Sequence, residues 1–229
     1  MSNIYMLGTR TTSEEMVDVI LDCGHEVACY VENMFPAKVG NELNGIPIIW
    51  YEDLKNIDED FEVICGIASS YQRRLYVEQM KSFLPELKWA TIIHPTVDAS
   101  STLKVGEGTL LSRGVSVGSH TELGGHCFIN RGVSLGHHDI LGDFVTVSPG
   151  ATIAGACDIG SGSYISMCSV VVDHTRVGEN AFVAAGAVVT KDVEDNTAVM
   201  GLPAKEKRLK EGSRVLERVD RSKYDVEEF

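Results

Sequence analysis

Two adjacent histidines, His137 and His138, lie in the segment SLGHHDILGD (134–143), among small and branched apolar residues. The chain has 229 residues and only seven histidines, yet two of them stand side by side. An imidazole, whose unperturbed pKa is about 6.5, can accept a proton at neutral pH and so act as a general base. Asp139 follows, and it is either a buried group that stabilises a turn or a carboxylate that orients a histidine ring. These three residues are the catalytic candidates.

The residues around the pair repeat with a period of six. A branched apolar residue occupies every sixth position from 105 to 189 without one insertion, often followed by glycine and preceded two positions earlier by a small or branched residue. This spacing drifts around an α-helix of about 3.6 residues per turn, whereas a hexapeptide period is typical of a parallel β-helix. The repeat predicts a β-helix domain over residues 97–204.

The first 96 residues lack this period. Apolar runs such as IYMLG (4–8) and FEVICGIAS (61–69) predict buried strands, and the spacing in SEEMVDVILDCG (13–24) predicts a helix that stops at a glycine. Alternating strands and helices predict a Rossmann-like α/β domain with a small parallel sheet over residues 1–96, which binds ligands at the carboxyl ends of its strands. The charged tail, residues 205–229, is expected to be a solvated helix or a flexible end.

Composition argues against several classes of protein. A net charge of −13 disfavours binding to a nucleic-acid backbone. No apolar run approaches the roughly 20 residues of a membrane-spanning helix, and the N-terminus does not resemble an export signal. The six cysteines are scattered without a CxxC pair, which favours reduced thiols over disulfides or a thiolate zinc site. We therefore expect a cytoplasmic protein that binds neither nucleic acid nor membrane.

The hexad pattern [LIV]-G-x-x-[small]-x resembles that of the left-handed β-helix acyltransferases, in which three hexads form one triangular coil. Fifteen hexads would then form five coils, preceded by a partial coil around Ile93 and Ala99. The segment VMGLPAKEKR (199–208) is similar to the G-x-P-A segment that ends the β-helix in these enzymes. The whole plan resembles the sialic acid O-acetyltransferase family, and within it the N-acetyltransferases of nucleotide-linked 4-amino-4,6-dideoxy sugars, as in bacillosamine and perosamine synthesis.

Coils of 18 residues would place residues 18 apart at one corner. His137 then shares a column with Ser119, Gly155 and Asp173, and His138 shares one with His120, Ala156 and His174. Both histidines are therefore expected at an outer turn, two and three residues after the inward Leu135. The corner around Gly155 is nearly bare, which suits the approach of a long, thin acyl carrier.

The resemblance implies transfer of an acetyl group from acetyl-CoA to the 4-amino group of the sugar, without a metal and without a covalent acyl-enzyme. Its catalytic histidine lies in a segment similar to N-x-x-x-x-x-x-H-[ED]-x-x-I-G-[ED], which this chain matches at Asn130, His137, Leu141, Gly142 and Asp143. His137 is therefore the predicted general base. The relatives carry a carboxylate where this chain has His138, so the role of His138 stays open.

The resemblance also implies a homotrimer that binds acetyl-CoA in the groove between subunits. The residues at the coenzyme-contact positions are Thr146, Gly155, Ala185, Gly186 and Lys205. The nucleotide sugar would bind mainly to the α/β domain, and Asn130 of the β-helix would also contact it. The residues of the α/β domain at the matching positions are Gly8, Thr9, Arg10, Thr11, Glu32, Asn33, Ser69 and Ser70. The turn GTRTTSEE (8–15) replaces the glycine-rich turn of the relatives, so UDP, GDP and dTDP all remain open.

Three other functions compete with this hypothesis. The same histidine could deprotonate a sugar hydroxyl, as in sialic acid O-acetylation. Some trimeric β-helices are hydrolases or carbonic anhydrases that hold zinc between histidines, but Ala156 interrupts the column of His120, His138 and His174. A non-catalytic scaffold would not need a histidine beside the bare corner at Gly155.

Overall fold

The computed structural model describes residues 3–210, 214–223 and 226–227. Its N-terminal part contains a five-stranded sheet in the order β3-β4-β2-β1-β5, formed by β1 (Asn3–Leu7), β2 (Glu26–Glu32), β3 (Glu42–Leu43), β4 (Ile46–Trp50) and β5 (Phe61–Cys65). The strands β1, β2, β4 and β5 are parallel, and β3 pairs antiparallel with β4. The predicted small parallel sheet is confirmed.

Two helices, α1 (Thr11–Asp22) and α2 (Ser70–Phe83), cover opposite sides of this sheet. Strand side chains alternate between the two sides, so Ile4 and Met6 of β1 pack in one cluster with α1, whereas Tyr5 and Leu7 pack in another with α2. Short 3₁₀ segments, Pro36–Lys38 and Tyr51–Asn56, complete the connections. Among the described residues, no helix is long and apolar enough to cross a membrane.

The rest of the chain winds into a triangular, left-handed parallel β-helix with three faces. Face 1 consists of β6 (Ile92–Ile93), β9 (Leu110–Leu111), β12 (Phe128–Ile129), β15 (Thr146–Val147), β18 (Tyr164–Ile165), β21 (Phe182–Val183) and β23 (Ala198–Met200), with β24 (Lys205–Glu206) antiparallel at its end. Face 2 consists of β7 (Asp98–Ala99), β10 (Ser116–Val117), β13 (Ser134–Leu135), β16 (Thr152–Ile153), β19 (Val170–Val171) and β22 (Val188–Val189). Face 3 consists of β8 (Lys104–Val105), β11 (Glu122–Leu123), β14 (Ile140–Leu141), β17 (Asp158–Ile159) and β20 (Arg176–Val177).

The hexad residues form the interior of the β-helix. Each is the second residue of its strand, and those from Leu111 to Val189 belong to one buried apolar cluster, against which Val105 packs. Strands pair in parallel with a register of 18 residues, as in Leu135 with Ile153. This arrangement confirms the predicted coils, including the early one that starts at β6 and β7.

The α/β domain packs on face 1 through a buried arginine of α2. Arg73, only 1% exposed, donates hydrogen bonds to the carbonyl oxygens of Ile67 (2.8 Å), Phe144 (2.9 Å) and His126 (2.7 Å) and to Thr146 Oγ1 (2.9 Å). Burial lowers the pKa of Arg73. Because its acceptors come from both domains, this single guanidinium joins them.

A buried histidine lies beside Arg73 in the same contact. The ring of His126 stacks on Phe144 at a centroid distance of 5.2 Å and meets Trp89 edge-on at 4.7 Å. Neither of its ring nitrogens has a hydrogen-bond partner. Burial lowers the pKa of His126 to about 3, helped by the charges of Lys81 and Arg73, so the ring is neutral in the folded protein at neutral pH.

The C-terminal segment (214–223) also packs on face 1. It forms the 3₁₀ turns Arg214–Glu217 and Arg221–Lys223, and beyond them β26 (Val226–Glu227) pairs with β25 (Leu209–Lys210). Val219 is 1% exposed and packs in a cluster with Leu209, Tyr164 and Phe182. The expectation of a solvated helix or flexible end is therefore wrong for these residues, because apolar side chains spaced along a charged segment find an apolar face to cover. Residues 211–213, 224–225 and 228–229 of the predicted tail lie outside the described residues.

Candidate active site

The corner between faces 2 and 3, formed by residues 118–120, 136–138, 154–156 and 172–174, holds the catalytic candidates and is called the histidine corner. His137 and His138 are exposed there, two and three residues after the buried Leu135. His138 has a φ of +59°, and His120 and His174 have almost the same value at their own coils. The predicted columns of residues 18 apart are confirmed by the strand register.

The rings of His137 and His138 contact each other. Their Nδ1 atoms are 3.2 Å apart, and their planes are nearly perpendicular at a centroid distance of 5.3 Å. The ring of His120 lies on the other side of His138, at a centroid distance of 4.9 Å. The Nδ1 of His137 is therefore engaged by a histidine rather than by a carboxylate.

The ring of His137 lies directly on Gly155 of the next coil. A Cβ atom at Gly155 would be 2.7 Å from Cε1 and 2.8 Å from Nε2 of His137, closer than real side chains approach. A side chain at position 155 would therefore have to displace the ring of His137. The Nε2 atom lies close to the backbone of Gly155, which carries no side chain.

Asp139 points into the β-helix, away from solvent. It is fully buried, and its Oδ1 accepts a hydrogen bond from the backbone N–H of Cys157 (2.9 Å), while Oδ2 has no partner. Burial raises the pKa of Asp139 to about 6, although the N–H groups of Cys157 and Gly136 and the charge of His137 oppose the increase. Of the two interpretations of Asp139, this geometry favours the buried group that stabilises the next coil.

A cavity of about 440 Å³ lies on face 1, opposite the histidine corner. It is lined by three of the predicted ligand-binding residues, Asn130, Thr146 and Ala185, together with Tyr164 and Phe182. The hydroxyl of Thr146 donates to Ala68 O (2.8 Å) and accepts from Arg73, and the residue is 1% exposed. Thr146 therefore joins the two domains. The sequence gives no sign of this role, because a threonine in a β-strand is common.

A smaller cavity, of about 180 Å³, lies where β1 and β5 end and α1 and α2 begin. Arg10, Thr11 and Ser69 line it, as expected for residues at the carboxyl ends of parallel strands. Gly8 has a φ of +93°, and a Cβ there would lie 2.6 Å from Ile67 Cδ1, so only glycine fits this turn. Three of the residues predicted for the nucleotide sugar therefore line one cavity, and Gly8 forms a turn that contacts Ile67 of its lining.

The other four residues predicted for this site have internal partners. The buried carboxylate of Glu32 accepts hydrogen bonds from Thr9 Oγ1 (2.7 Å) and from the N–H of Met34 (3.0 Å). Asn33 is also buried, and its Nδ2 donates to Gln79 Oε1 (3.1 Å). Ser70 is fully buried, and its hydroxyl donates to Ser163 O (3.2 Å) on the β-helix. These residues shape the loops around the cavity.

Sequence reasoning missed the contribution of the C-terminal segment. Glu217 and Arg218 line the smaller cavity, and Arg218 also lines the larger one, with its guanidinium 5.6 Å from the ring centroid of Tyr164. The hydroxyl of Ser69 is 3.0 Å from Glu217 O and 3.2 Å from Arg218 O. No periodic pattern in residues 214–223 indicates this docking.

The remaining predicted coenzyme residues lie near the C-terminal end of the β-helix. Gly186 has a φ of +67° at the corner between faces 1 and 2, with open space around its Cα, and Ala185 precedes it. Lys205 is exposed on β24. Within one chain these residues and both cavities are separated from His137, since face 1 is opposite the histidine corner.

Within the part of the chain that the structure describes, neither a third cavity nor a cluster of metal ligands adds a candidate site. A cavity of about 460 Å³ beside Leu54, Leu84 and Leu87 contains none of the predicted residues. Within the described ranges, no group of three or more His, Cys, Asp or Glu side chains is arranged to hold a metal ion. The column of His120, His138 and His174 therefore shows no cluster of ligands.

Comparisons with known proteins identify the fold. No protein-family profile and no curated protein matches the chain. A histidine-to-asparagine variant of perosamine N-acetyltransferase from Caulobacter crescentus, in complex with CoA and GDP-perosamine, matches with a TM-score of 0.82 and 20% identity, over 90% of this chain and 97% of that one. The acetyltransferase domain of PglB from Neisseria gonorrhoeae FA1090, in complex with acetyl coenzyme A, matches with a TM-score of 0.80 and 24% identity, over 90% and 98%. WeeI from Acinetobacter baumannii AYE matches with a TM-score of 0.67 and 22% identity, over 90% and 100%. The chain therefore shares the fold of these proteins, a small α/β domain followed by a left-handed parallel β-helix.

Proposed function

We propose that the protein transfers an acetyl group from acetyl-CoA to the 4-amino group of a nucleotide-linked 4-amino-4,6-dideoxy sugar. The position of His137 carries this proposal: its exposed ring lies on the bare corner at Gly155, and its Nδ1 is engaged by His138. The choice of substrates is supported by two proteins of the same fold, one in complex with CoA and GDP-perosamine and the other with acetyl coenzyme A.

In the proposed reaction His137 is the general base. Its Nε2 takes a proton from the sugar amine as the amine nitrogen attacks the carbonyl carbon of the thioester. The C–S bond then breaks, and the sulfur leaves as the thiol of CoA with the proton that His137 returns. No acyl-enzyme is formed, which agrees with the burial of Cys157 near this corner, where burial raises the pKa of the thiol and keeps it protonated.

The nucleotide sugar would bind with its phosphates at the smaller cavity. The first turns of α1 and α2 meet there, and free N–H groups at helix N-termini favour anions. Arg10 adds a positive charge, Thr11 and Ser69 add backbone and hydroxyl groups, and Gly8 would hold the adjacent turn. The sugar would extend along the larger cavity past Asn130. Thr9, Glu32, Asn33 and Ser70 would act by holding the loops in place.

The site would be completed by a second copy of the chain, in a homotrimer. Since the histidine corner and face 1 are opposite each other, His137 would act on a sugar bound by a neighbouring subunit. Large apolar side chains are exposed at Ile140 (56%) on face 3 and at Met167 (55%) at the corner between faces 1 and 2, where a second copy would cover them. Acetyl-CoA would lie in the groove between subunits, along Gly155 of one and towards Ala185, Gly186 and Lys205. The buried free thiols agree with a cytoplasmic location.

The first experiment measures acetyl-CoA turnover as free thiol release against UDP-, GDP- and dTDP-linked 4-amino-4,6-dideoxy sugars. We expect turnover with one of them and a roughly 10²–10⁴-fold lower kcat/KM in His137→Ala, as for loss of a general base. His174→Ala, at an equivalent turn of the same corner, is the matched control and should keep its activity. No turnover with any amino sugar would favour a hydroxyl acceptor instead, and undiminished activity in His137→Ala would refute the proposed mechanism.

Mixed trimers test whether two subunits share the site. His137→Ala and Arg10→Ala subunits are each expected to be inactive alone. Denatured together and refolded, they should recover activity, because some sites then combine an intact His137 with an intact nucleotide cavity. The absence of recovery in refolded trimers of confirmed mass would contradict a shared site.

A further inference from the structure

The contact between His137 and His138 restricts which of their ring nitrogens can carry hydrogen. The two Nδ1 atoms are 3.2 Å apart, so one must carry hydrogen and the other must present a lone pair. A neutral imidazole has one N–H, and the hydrogen bond made by one nitrogen decides which nitrogen is the free base. The direction of this single bond therefore decides whether Nε2 of His137 can accept a proton.

We infer that His138 is a positioning residue: its Nδ1 accepts a hydrogen bond from Nδ1–H of His137 and so keeps the lone pair of His137 on Nε2, above Gly155. The inference deepens the proposed function, because it concerns the base of that same reaction. In the opposite direction His137 would carry its hydrogen on Nε2 and would be unable to take a proton from a substrate held over Gly155.

The surroundings of the pair favour this assignment. Asp139 is directed inward to the N–H of Cys157, so its carboxylate is not the group that faces Nδ1 of His137. Gly155 and Ala156 of the next coil are without polar side-chain atoms. His138 is thus the acceptor that the fold places at this nitrogen, and the left-handed backbone at φ +59° sets the direction in which its ring leaves the corner.

The hydrogen bond between the two rings would persist during the reaction. When His137 takes the substrate proton it becomes a cation that still donates from Nδ1 to His138. The other titratable groups at this corner are His120, whose ring is tilted by 38° against that of His138, the buried Asp139, and the pair of Asp173 and His174 (3.9 Å), two coils from His137.

Ring-nitrogen NMR tests the inference without any substrate. In 15N-labelled protein at pH 8, long-range 1H–15N spectra distinguish the two neutral forms of each histidine, and His137→Asn identifies the signals of His137. We expect the Nδ1–H form for His137 in the unaltered protein. In His138→Phe, which keeps a ring but removes the acceptor, we expect His137 to change to the Nε2–H form. His174→Phe, at the same corner position with a φ of +56°, should leave His137 unchanged.

Kinetics provide the second readout. His138→Phe should lower kcat by about 10-fold to 100-fold with KM for both substrates changed by less than about twofold, since the loss concerns proton transfer and not binding. His138→Glu restores an acceptor, so it should keep the Nδ1–H form and most of kcat. Its carboxylate favours the protonated ring, so the acid limb of the pH profile should move up by about one pH unit. If His138→Phe does not fold, the Glu variant still provides both readouts.

Two results would overturn the inference: an Nε2–H form of His137 in the unaltered protein, or an Nδ1–H form that persists in His138→Phe. Equal kcat in His138→Phe and His174→Phe would also overturn it. Failure of the proposed function can be distinguished from failure of this inference. In that case the unaltered protein would turn over no amino sugar, but NMR would still show the Nδ1–H form of His137.

Discussion

Face 1 and the histidine corner are built from the same hexads but differ in what covers them. On face 1 the outward residues Phe128, Tyr164 and Phe182 are buried beneath the α/β domain and the C-terminal segment. At the histidine corner His137 and His138 stay exposed beside a glycine. The inward residues of the two regions are alike, since all lie in one apolar interior.

The difference shows that the inward residues of the hexads specify the β-helix, whereas the outward residues determine what each part of its surface can bind. Large apolar outward side chains need a cover, and two other parts of the chain supply it on face 1. Small and polar outward residues leave the histidine corner open to a ligand or a second subunit. The following variants test this division, from the largest expected effect to the smallest.

Arg73→Met should weaken the packing of the α/β domain on face 1. It leaves carbonyl oxygens of both domains without their charged donor, and we expect a loss of about 4 kcal/mol in the free energy of unfolding. Hydrogen exchange should rise in α2 and in the C-terminal segment, while peptides of the histidine corner stay protected. The control is Glu78→Met, an exposed residue on the same helix. Equal exchange in both variants would mean that Arg73 does not hold the domains together.

The two regions should respond to pH with opposite sign. The pKa of His126 under face 1 is lowered to about 3, so between about pH 6.5 and 3 the unfolded chain binds this proton more tightly. Stability then falls as the pH falls through this range, by about 1.4 kcal/mol per pH unit. In His126→Phe the free energy of unfolding, measured with urea, should not show this decrease at low pH. A slope that persists unchanged in the variant would show that another group is responsible.

Asp139 below the histidine corner should act in the other direction. Its pKa is raised from 3.8 to about 6, so the folded protein binds this proton more tightly than the unfolded chain. Stability is therefore lost as the pH rises from about 4 to 6, by about 2 to 3 kcal/mol, and the loss is complete above that range. Asp139→Asn keeps the acceptor for Cys157 without the charge and should be more stable than the unaltered protein at pH 8. Parallel unfolding curves of the two proteins at pH 4 and pH 8 would contradict this expectation.

Gly155→Ala should displace the ring of His137 and lower kcat by about 10-fold, equivalent to about 1.4 kcal/mol. In the His137→Ala background the same substitution should cost nothing further, because the ring that it meets is gone. Thiol-release assays of the two single variants and the double variant measure this coupling. Additive losses would mean that Gly155 acts through the carrier and not through His137.

Much of the fold, and the placement of His137 at the histidine corner, follow from the sequence. The 18-residue register by itself predicts that His137 lies beside Gly155, because every coil repeats the same backbone path. Thr146 and Glu32 show where this reasoning stops. The resemblance to the acetyltransferases assigns both to ligands, but their oxygens are engaged by Ala68 and Thr9, which are 78 and 23 residues away. Such contacts depend on how the domains meet, which no short pattern encodes.

The sequence by itself determined the β-helix, its corner columns and the small parallel sheet, because periodic burial of apolar side chains specifies them locally. Tertiary structure alone decided three things: that Arg73 and the C-terminal segment cover face 1, that His138 rather than Asp139 meets Nδ1 of His137, and that the cavity at the ends of β1 and β5 lies opposite the histidine corner. Each depends on the direction of individual side chains in packed surroundings, and a period of six determines only which residues point inward.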